Sequence, residues 1–397
     1  MLFAAGVDRP RTEGAAPRPG QEVVMGRSVW SFLFASVLLV GSAAMTTATT
    51  PDVTSDIDVS RGSATAASPA LVLSGDFSQG IALALDQDGH RHLVAGNLRG
   101  DLWYATDRTG TWTTKRLLSG REGWFGWSYP SIAMDENDRV HVAAVKWEWS
   151  TPSGTGGIWY LTDAGRTRAD FGTATRIAGS MMTSPSLRVV DGIRYLAYAK
   201  CDCLPMQSRA PLYFKTDRSG SVVTERLANV AYDPSLRVDR DGRAHIVYSD
   251  RQGLRYTRAT TRTGDFTTPA RIPGTSGLEG TPSLALDTSD QAHIAWSTWK
   301  QGHPLFYVER TSAGWSTPLR LGNGTSTELS IDASDRPHVV LGWDKVIHRW
   351  LAGGTWQSTV VVSDVSSVDA AIRAFGTGAT IAWSQDVSPS GVWVVRD

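Results

Sequence analysis

A unit of four short apolar stretches separated by turns recurs along most of this 397-residue chain, and it restricts the fold more than any other sequence feature. The unit is clearest between Thr281 and Leu321. There, Ser283–Leu286 and His293–Trp296 are followed by Leu305–Val308 and by Trp315–Leu321. Apolar runs this short, bounded by Asp, Ser and Gly, are typical of β-strands. Each unit therefore predicts four strands joined by turns.

The second strand of each unit carries a marker position that gives the spacing of the repeat. Seven markers lie 42 to 54 residues apart: His92, His141, Tyr195, His245, His293, His338 and Thr380. Repeats of about 40–50 residues with four strands each are typical of β-propeller blades. The last unit stops at its third strand, Trp393–Arg396, whereas the apolar segment Ala70–Leu73 precedes the first unit without a partner. Because pairing these two would remove two open sheet edges, we predict an all-β, seven-bladed propeller closed by an N-terminal strand. A six-bladed ring with a stray unit is the alternative.

The first 69 residues show no repeat and are predicted to lie outside the ring. Residues 1–24 are rich in Pro, Gly and Arg, which indicates disorder or a true start at Met25. Residues 25–48 have the pattern of a signal peptide, with Arg27 before the apolar run Val29–Val40 and small residues after it. We therefore expect an extracellular, monomeric protein without an integral membrane domain in its mature chain. Residues 49–69 are its Ser/Thr/Ala-rich linker and residues 70–397 its propeller. A single N-terminal membrane anchor is the alternative.

Charge and cysteine content exclude several classes of partner. The 39 basic and 39 acidic side chains cancel, so no net field attracts nucleic acid or an anionic membrane. Cys201 and Cys203 are the only cysteines. A disulfide between residues two apart in sequence would close a strained ring, and both the bridge and two free thiols stay open. Two thiols without a neighbouring histidine do not make a zinc site, and we expect neither metal nor cofactor.

Residues that recur from unit to unit are interpreted as scaffold. An Asp opens the first turn of five units, with Gly or Asp three residues later, because the carboxylate can accept hydrogen bonds from backbone amides two residues on. The recurrent histidines follow these turns and belong to different units, so they cannot converge on one metal. We predict that each makes a hydrogen bond between blades.

Two turns between third and fourth strands carry a family resemblance. Asp107–Trp112 has Asp, Gly and Trp in the order of an Asp-box turn, and Asp217–Gly220 is a poorer match. Together with the repeat Pro-Ser-Leu…His-Ile-Ala-Trp, they resemble the sialidase-like, BNR-repeat propellers of exported bacterial proteins over about residues 70–397. The resemblance implies a propeller and a glycan-related role. Arg271–Pro273 matches the Arg-Ile-Pro motif of sialidases, but it falls in a fourth strand where arginine recurs, and we interpret it as scaffold.

The interruptions of the repeat are the candidates for function. The loops after second strands and those between blades share one face of a propeller, and here they combine tryptophans with charged residues. Such a mixture suits a glycan, because sugar C–H faces stack on indoles while polar groups orient the hydroxyls. We predict a glycan-binding surface formed by Trp124, Trp127, Trp147, Trp149, Asp233, Arg251, Trp299, His303 and Trp343.

Two other functions stay open. A glycoside hydrolase needs a pair of carboxyl groups, for which the candidates are Glu148, Asp250 and Glu328. A polysaccharide lyase needs a base beside an arginine, and His303 with Arg251 is the candidate pair. A protein-interaction scaffold is the third possibility, because the propeller fold serves many functions. The primary prediction is a carbohydrate-binding module.

Overall fold

The computed structural model describes residues 68–120, 126–147, 156–179, 184–200, 210–277 and 279–397, without the side chains of residues 367 and 368. Every regular element in these ranges is a β-strand, and the strands are numbered β1 to β30 in chain order. The same ranges hold no helix of the length and apolarity needed to cross a membrane.

Seven antiparallel sheets form the blades, and the first strand of each sheet lies innermost. Blade 1 contains β2 (Ile81–Leu85), β3 (Arg91–Gly96), β4 (Leu102–Thr106) and β5 (Thr113–Leu118). Blade 2 contains β6 (Trp127–Met134), β7 (Val140–Lys146), β8 (Gly157–Thr162) and β9 (Thr175–Gly179). Blade 3 contains β10 (Ser186–Val190), β11 (Ile193–Ala199), β12 (Leu212–Thr216) and β13 (Val223–Ala228).

The outer strand is split into two short pieces in blades 4 and 5. Blade 4 contains β14 (Tyr232–Val238), β15 (Ala244–Asp250), β16 (Gly253–Thr261), β17 (Gly264–Phe266) and β18 (Ala270–Arg271). Blade 5 contains β19 (Glu279–Leu286), β20 (Ala292–Thr298), β21 (Pro304–Thr311), β22 (Gly314–Trp315) and β23 (Leu319–Asn323). Blade 6 contains β24 (Ser326–Ile331), β25 (Pro337–Gly342), β26 (Val346–Ala352) and β27 (Thr355–Val362).

Blade 7 combines the last three strands of the propeller segment with its first strand. Its strands are β28 (Ser367–Phe375), β29 (Gly378–Gln385), β30 (Gly391–Arg396) and, outermost, β1 (Ala70–Ser74). β1 pairs antiparallel with β30, with Ala70 opposite Val394. The innermost strands contact one another in sequence, and β28 contacts β2, so the ring is closed. The predicted seven-bladed propeller with an N-terminal closing strand is confirmed.

Apolar side chains fill the spaces between neighbouring blades. Trp296, which is 1% exposed, packs with Leu284 of its own blade and Val247 of blade 4. Burying an aliphatic or aromatic side chain of this size stabilises the fold by about 1.5–3 kcal/mol. The serine of the recurring Pro-Ser-Leu segment adds a polar contact at the axis. For example, the Ser235 hydroxyl accepts a hydrogen bond from the Leu284 amide of the next blade at 3.1 Å. Ser131, Ser186 and Ser283 repeat this contact.

The turns between first and second strands lie on one side of the ring, the turn face. The longer loops from second to third strands and from blade to blade lie on the other side, the loop face. On the turn face, Asp239 accepts a hydrogen bond from the Arg243 amide at 2.7 Å and contacts the His245 ring at 3.2 Å. The other nitrogen of His245 lies 2.7 Å from the Tyr256 hydroxyl. Blades 1, 2 and 5 repeat this Asp–His–Tyr chain.

These contacts confirm the scaffold interpretation of the recurrent aspartates and correct one detail for the histidines. We predicted hydrogen bonds between blades, but each Asp–His–Tyr chain lies within one blade. The physical reason is register: the turn aspartate and the tyrosine of the third strand flank the histidine in the same sheet. Contacts between blades on this face use other groups, such as the Thr288 amide and the Asp335 carboxylate at 2.7 Å.

Candidate functional site

Three predicted ligand-binding residues meet on the loop face and form an aromatic clip, defined as Trp299, His303 and Trp343. Trp299 and His303 belong to the loop between β20 and β21 of blade 5, and Trp343 follows β25 of blade 6. The imidazole centroid lies 6.3 Å from the Trp299 indole and 5.0 Å from the Trp343 indole, nearly perpendicular to both. The indoles are 57% and 42% exposed.

Backbone geometry holds the middle of the clip. His303 has a φ of 45°, which is unusual for a residue with a side chain. Its Nδ1 lies 3.2 Å from the Thr298 carbonyl oxygen, which orients the ring between the indoles. Among the described residues, no hydrogen bond reaches Nε2. The clip therefore offers two accessible aromatic faces and one polar atom.

A second group lies where the central channel opens on the loop face. Tyr129, Asp233 and Asp369, called the mouth residues, occupy the same repeat position on β6, β14 and β28. Each lies at an irregularity in the pairing of the innermost strand with its neighbour. Tyr129 and Asp233 have φ values of 47° and 46°, a conformation that side-chain-bearing residues adopt mainly where surrounding structure enforces it. Three blades thus bring a phenol and two carboxyl groups to one opening.

Burial dominates the electrostatics of the mouth residues. It raises the pKa of Asp369 to about 6. It also raises the pKa of Asp233, although a hydrogen bond from the Ser184 hydroxyl at 3.3 Å acts in the opposite direction. The pKa of Tyr129 rises to about 12, first through desolvation at the channel opening, although 47% of the residue stays exposed, and then through the negative charges of Asp233 and Asp369. Carboxyl groups with raised pKa values can donate as well as accept hydrogen bonds near neutral pH.

Two predicted tryptophans of blade 2 have different positions. Trp147 packs edge-on against Tyr129 at 6.4 Å, and its indole N–H donates to the Ser128 hydroxyl at 2.5 Å. Trp147 therefore holds Tyr129 in place at the opening of the channel. Trp127 is 5% exposed and donates to the Ser119 carbonyl at 3.2 Å, so it packs in the core between blades 1 and 2 rather than on the predicted surface.

The candidate carboxylates also have structural partners. Asp250 accepts hydrogen bonds from the Gln252 amide at 2.7 Å and the Arg255 guanidinium at 2.8 Å. Arg251 is exposed beside it in the same turn. Glu328 lies on innermost strand β24, where it accepts a hydrogen bond from the Ile372 amide at 2.9 Å and pairs with Arg373. The predictions for Trp124, Glu148, Trp149 and both cysteines lie outside the described residues.

One group of potential metal ligands lies close together in the described ranges, formed by Asp86, Asp88 and His90 on the turn face. Its central carboxylate belongs to the turn. One oxygen of Asp86 accepts from the amides of Asp88 and His90, and the other lies 3.0 Å from the His90 ring. We interpret this group as part of the scaffold.

Sequence reasoning missed Tyr129 and Asp369. The interruptions of the repeat lie in loops, whereas these residues lie near the ends of innermost strands. The repeats contain a signal for Tyr129 but not for Asp369, which is followed by Ala370 and Ala371. The residue before the Pro-Ser dipeptide varies from blade to blade, as Tyr129, Ser184, Asp233 and Thr281 show, while the dipeptide itself recurs.

Comparisons with known proteins identify the fold and no sequence family. No protein-family model matches the chain, and no curated protein matches it. A protein of unknown function from Dyadobacter fermentans is similar in structure (TM-score 0.52, 11% identity, 83% of this chain and 98% of that chain). An ulvan lyase of polysaccharide lyase family PL25, bound to -[GlcA(1-4)Rha3S]-, is also similar (TM-score 0.55, 14% identity, 82% and 94%). The polysaccharide lyase Uly1 is a third (TM-score 0.51, 12% identity, 82% and 90%).

Proposed function

We propose that this chain is an exported, monomeric carbohydrate-binding propeller that holds a glycan on its loop face. The observation that carries the proposal is the aromatic clip, in which two exposed indoles flank one imidazole. Exposed tryptophans have an energetic cost in water, and their pairing around an oriented histidine indicates a surface built for a ligand. The signal-peptide pattern of residues 25–48 supports the proposal of export.

The chemistry of the clip fits a sugar better than it fits a purely apolar ligand. The C–H face of a pyranose can stack on an indole, and His303 Nε2 can bond a ring hydroxyl. Lys300, Asp344 and Lys345 are exposed in the same two loops and can reach further hydroxyl or acidic groups. That similarly folded proteins include polysaccharide lyases, one of them bound to a glycan, is consistent with this choice.

Binding by the clip is tested with a glycan array on the purified protein, followed by calorimetry with the oligosaccharide of strongest signal. We expect Trp299→Ala and Trp343→Ala each to weaken binding at least about tenfold, which corresponds to about 1.4 kcal/mol. Phe375→Ala is the matched control, because Phe375 is 42% exposed but lies on the turn face. Unchanged affinity in both tryptophan variants would exclude the clip as the binding site. Absence of any glycan signal would favour a protein-interaction scaffold.

An enzyme acting on the same class of ligand is the second candidate, and the mouth residues favour it. A carboxyl group whose pKa is raised to about 6, as in Asp369, suits general acid catalysis near neutral pH. Reducing-sugar release and the absorbance of unsaturated products separate the two candidates. The binding module predicts no turnover by the wild type. Turnover that is lost in Asp369→Asn while glycan affinity persists would establish the enzyme instead.

A further inference from the structure

The innermost strands of blades 3, 4 and 7 carry an arginine at the same repeat position. These arginines belong neither to the aromatic clip nor to the mouth residues. The arginines are Arg188 on β10, Arg237 on β14 and Arg373 on β28. Each follows a buried aliphatic residue that packs against the preceding blade. Because side chains alternate along a strand, the arginines leave on the opposite face of the blade, where the serine two residues earlier on β10 and β14 contacts the next innermost strand.

The three arginines also share a conformation. In each, Nη1 donates to the carbonyl oxygen of the preceding residue, at 2.6 Å in Arg188, 2.9 Å in Arg237 and 2.6 Å in Arg373. The shared position and the shared hydrogen bond place the guanidinium groups at one level of the channel. The other blades have small residues at this position: Ala84, Ala133, Ala285 and Ser330.

Charge at this level is not balanced. Glu328 of blade 6 is the one acidic residue that the described innermost strands place there, and it pairs with Arg373. Burial and the charge of Arg373 across the channel together lower the pKa of Arg188 to about 9, and the charge of Glu328 acts in the opposite direction. Three guanidinium groups therefore face one carboxylate in a partly desolvated space, an arrangement that is costly without a counter-charge.

We propose that the central channel binds a small divalent oxyanion, of the inorganic sulfate or phosphate class, between Arg188, Arg237 and Arg373. A planar guanidinium presents paired N–H donors that match the oxygens of such an anion. Two negative charges would also balance the excess of three cations over Glu328. This site is separate from the aromatic clip and does not depend on glycan binding.

A free ion fits the channel better than the acidic group of a bound glycan. The mouth residues Asp233 and Asp369 lie four residues above Arg237 and Arg373 on the same strands, or about 13 Å along the channel. A sulfated or uronic acid chain entering from the loop face would have to bring its charge past these two carboxyl groups. Both the free ion and the acidic group of a glycan would supply an oxyanion, and the experiment has to distinguish these two sources.

The test is the melting temperature of the purified full chain, measured during titration of sodium sulfate against sodium chloride at constant ionic strength. Occupancy of a native-state site raises the melting temperature with the logarithm of the ligand concentration above Kd, by several degrees at about a hundred times Kd. We expect a logarithmic rise in the wild type that is lost in the double variant Arg188→Met/Arg237→Met, which leaves the Arg373–Glu328 pair intact. Arg166→Met/Arg240→Met removes the same charge from exposed positions of the turn face and should keep the rise.

Three results would overturn the proposal. One is a rise that is linear in sulfate concentration and equal in all variants, because sulfate also stabilises proteins by exclusion from their surface. Another is absence of any sulfate-specific rise in the wild type. The third is protection by galactose 6-sulfate or glucuronic acid but not by inorganic sulfate, which would assign the arginines to the glycan. If the double variant does not fold, Arg188→Lys is measured instead. It keeps the charge but loses the paired donors, and we expect at least about tenfold weaker sulfate binding by calorimetry.

Discussion

The two faces of the ring use the same residue types for different purposes. On the turn face, His245 is 1% exposed and lies between the Asp239 carboxylate and the Tyr256 hydroxyl of its own blade. On the loop face, His303 lies between two exposed indoles in a strained backbone conformation. The first arrangement recurs in several blades, and the second occurs once among the described residues.

The difference shows how a repeat separates stability from function. A contact made in every blade is needed wherever the ring is to be built, so its loss should weaken folding and leave binding unaffected. A contact made in only one blade distinguishes that blade from the others. An asymmetric ligand needs such a distinct site. The faces should therefore respond in opposite ways to substitution.

The largest effect on stability is expected at the buried turn aspartates. Asp239→Ala removes the acceptor of the Arg243 amide and of His245, and it leaves both donors in a buried position. We expect a loss of about 3 kcal/mol in the free energy of unfolding, measured by urea denaturation. Asp241→Ala in the same turn is the control, because the Asp241 side chain is 61% exposed, and it should cost less than about 0.5 kcal/mol. Similar losses in both variants would contradict the scaffold role of Asp239.

The second largest loss of stability is expected at acidic pH, from the buried histidines of the turn face. Burial lowers the pKa of His245 to about 4, and burial with the charge of His348 lowers that of His338 to about 4. Both values lie below the 6.5 of an unfolded histidine, so the unfolded state binds the extra protons. The stability from neutral histidine is complete above pH 6.5 and is lost as the pH falls towards 4. At pH 5 each histidine should cost about 2 kcal/mol relative to pH 7.5.

Urea denaturation at the two pH values checks this expectation. His245→Gln cannot take up the proton, so its stability should fall less between pH 7.5 and pH 5 than that of the wild type, even though it is less stable at neutral pH. An equal fall in both proteins would show that other groups control the acid response. Glycan affinity at the clip should be unaffected by the substitution.

The fold was predictable from the sequence because it depends on features that recur. Spacing of the histidines, turn aspartates and Pro-Ser-Leu segments defined seven blades, and the unpaired Ala70–Leu73 segment identified the closing strand. The aromatic clip was also predictable in part, since Trp299, His303 and Trp343 interrupt the repeat in loops of adjacent blades. Their perpendicular ring packing was not, because it depends on the positive φ of His303.

Tyr129, Asp369 and Arg188 could not be assigned from local patterns. Each lies on an innermost strand between residues that recur, so the surrounding sequence is typical of scaffold. What distinguishes them is the meeting of strands from distant blades around the axis. That arrangement follows from ring closure, and it is visible only when the same repeat position is compared across all blades.

The smallest effect on stability is expected at the clip, although its effect on binding is the largest. Trp343 contacts His303 and is 42% exposed, and Trp299 is 57% exposed, so their replacement by alanine removes little buried surface. We expect Trp299→Ala and Trp343→Ala to change the free energy of unfolding by less than about 0.5 kcal/mol. Urea denaturation of the proteins used for calorimetry measures both properties in one preparation. A loss of 2 kcal/mol or more would mean that the indoles fill a gap between blades 5 and 6, and weaker glycan binding would then reflect a damaged scaffold.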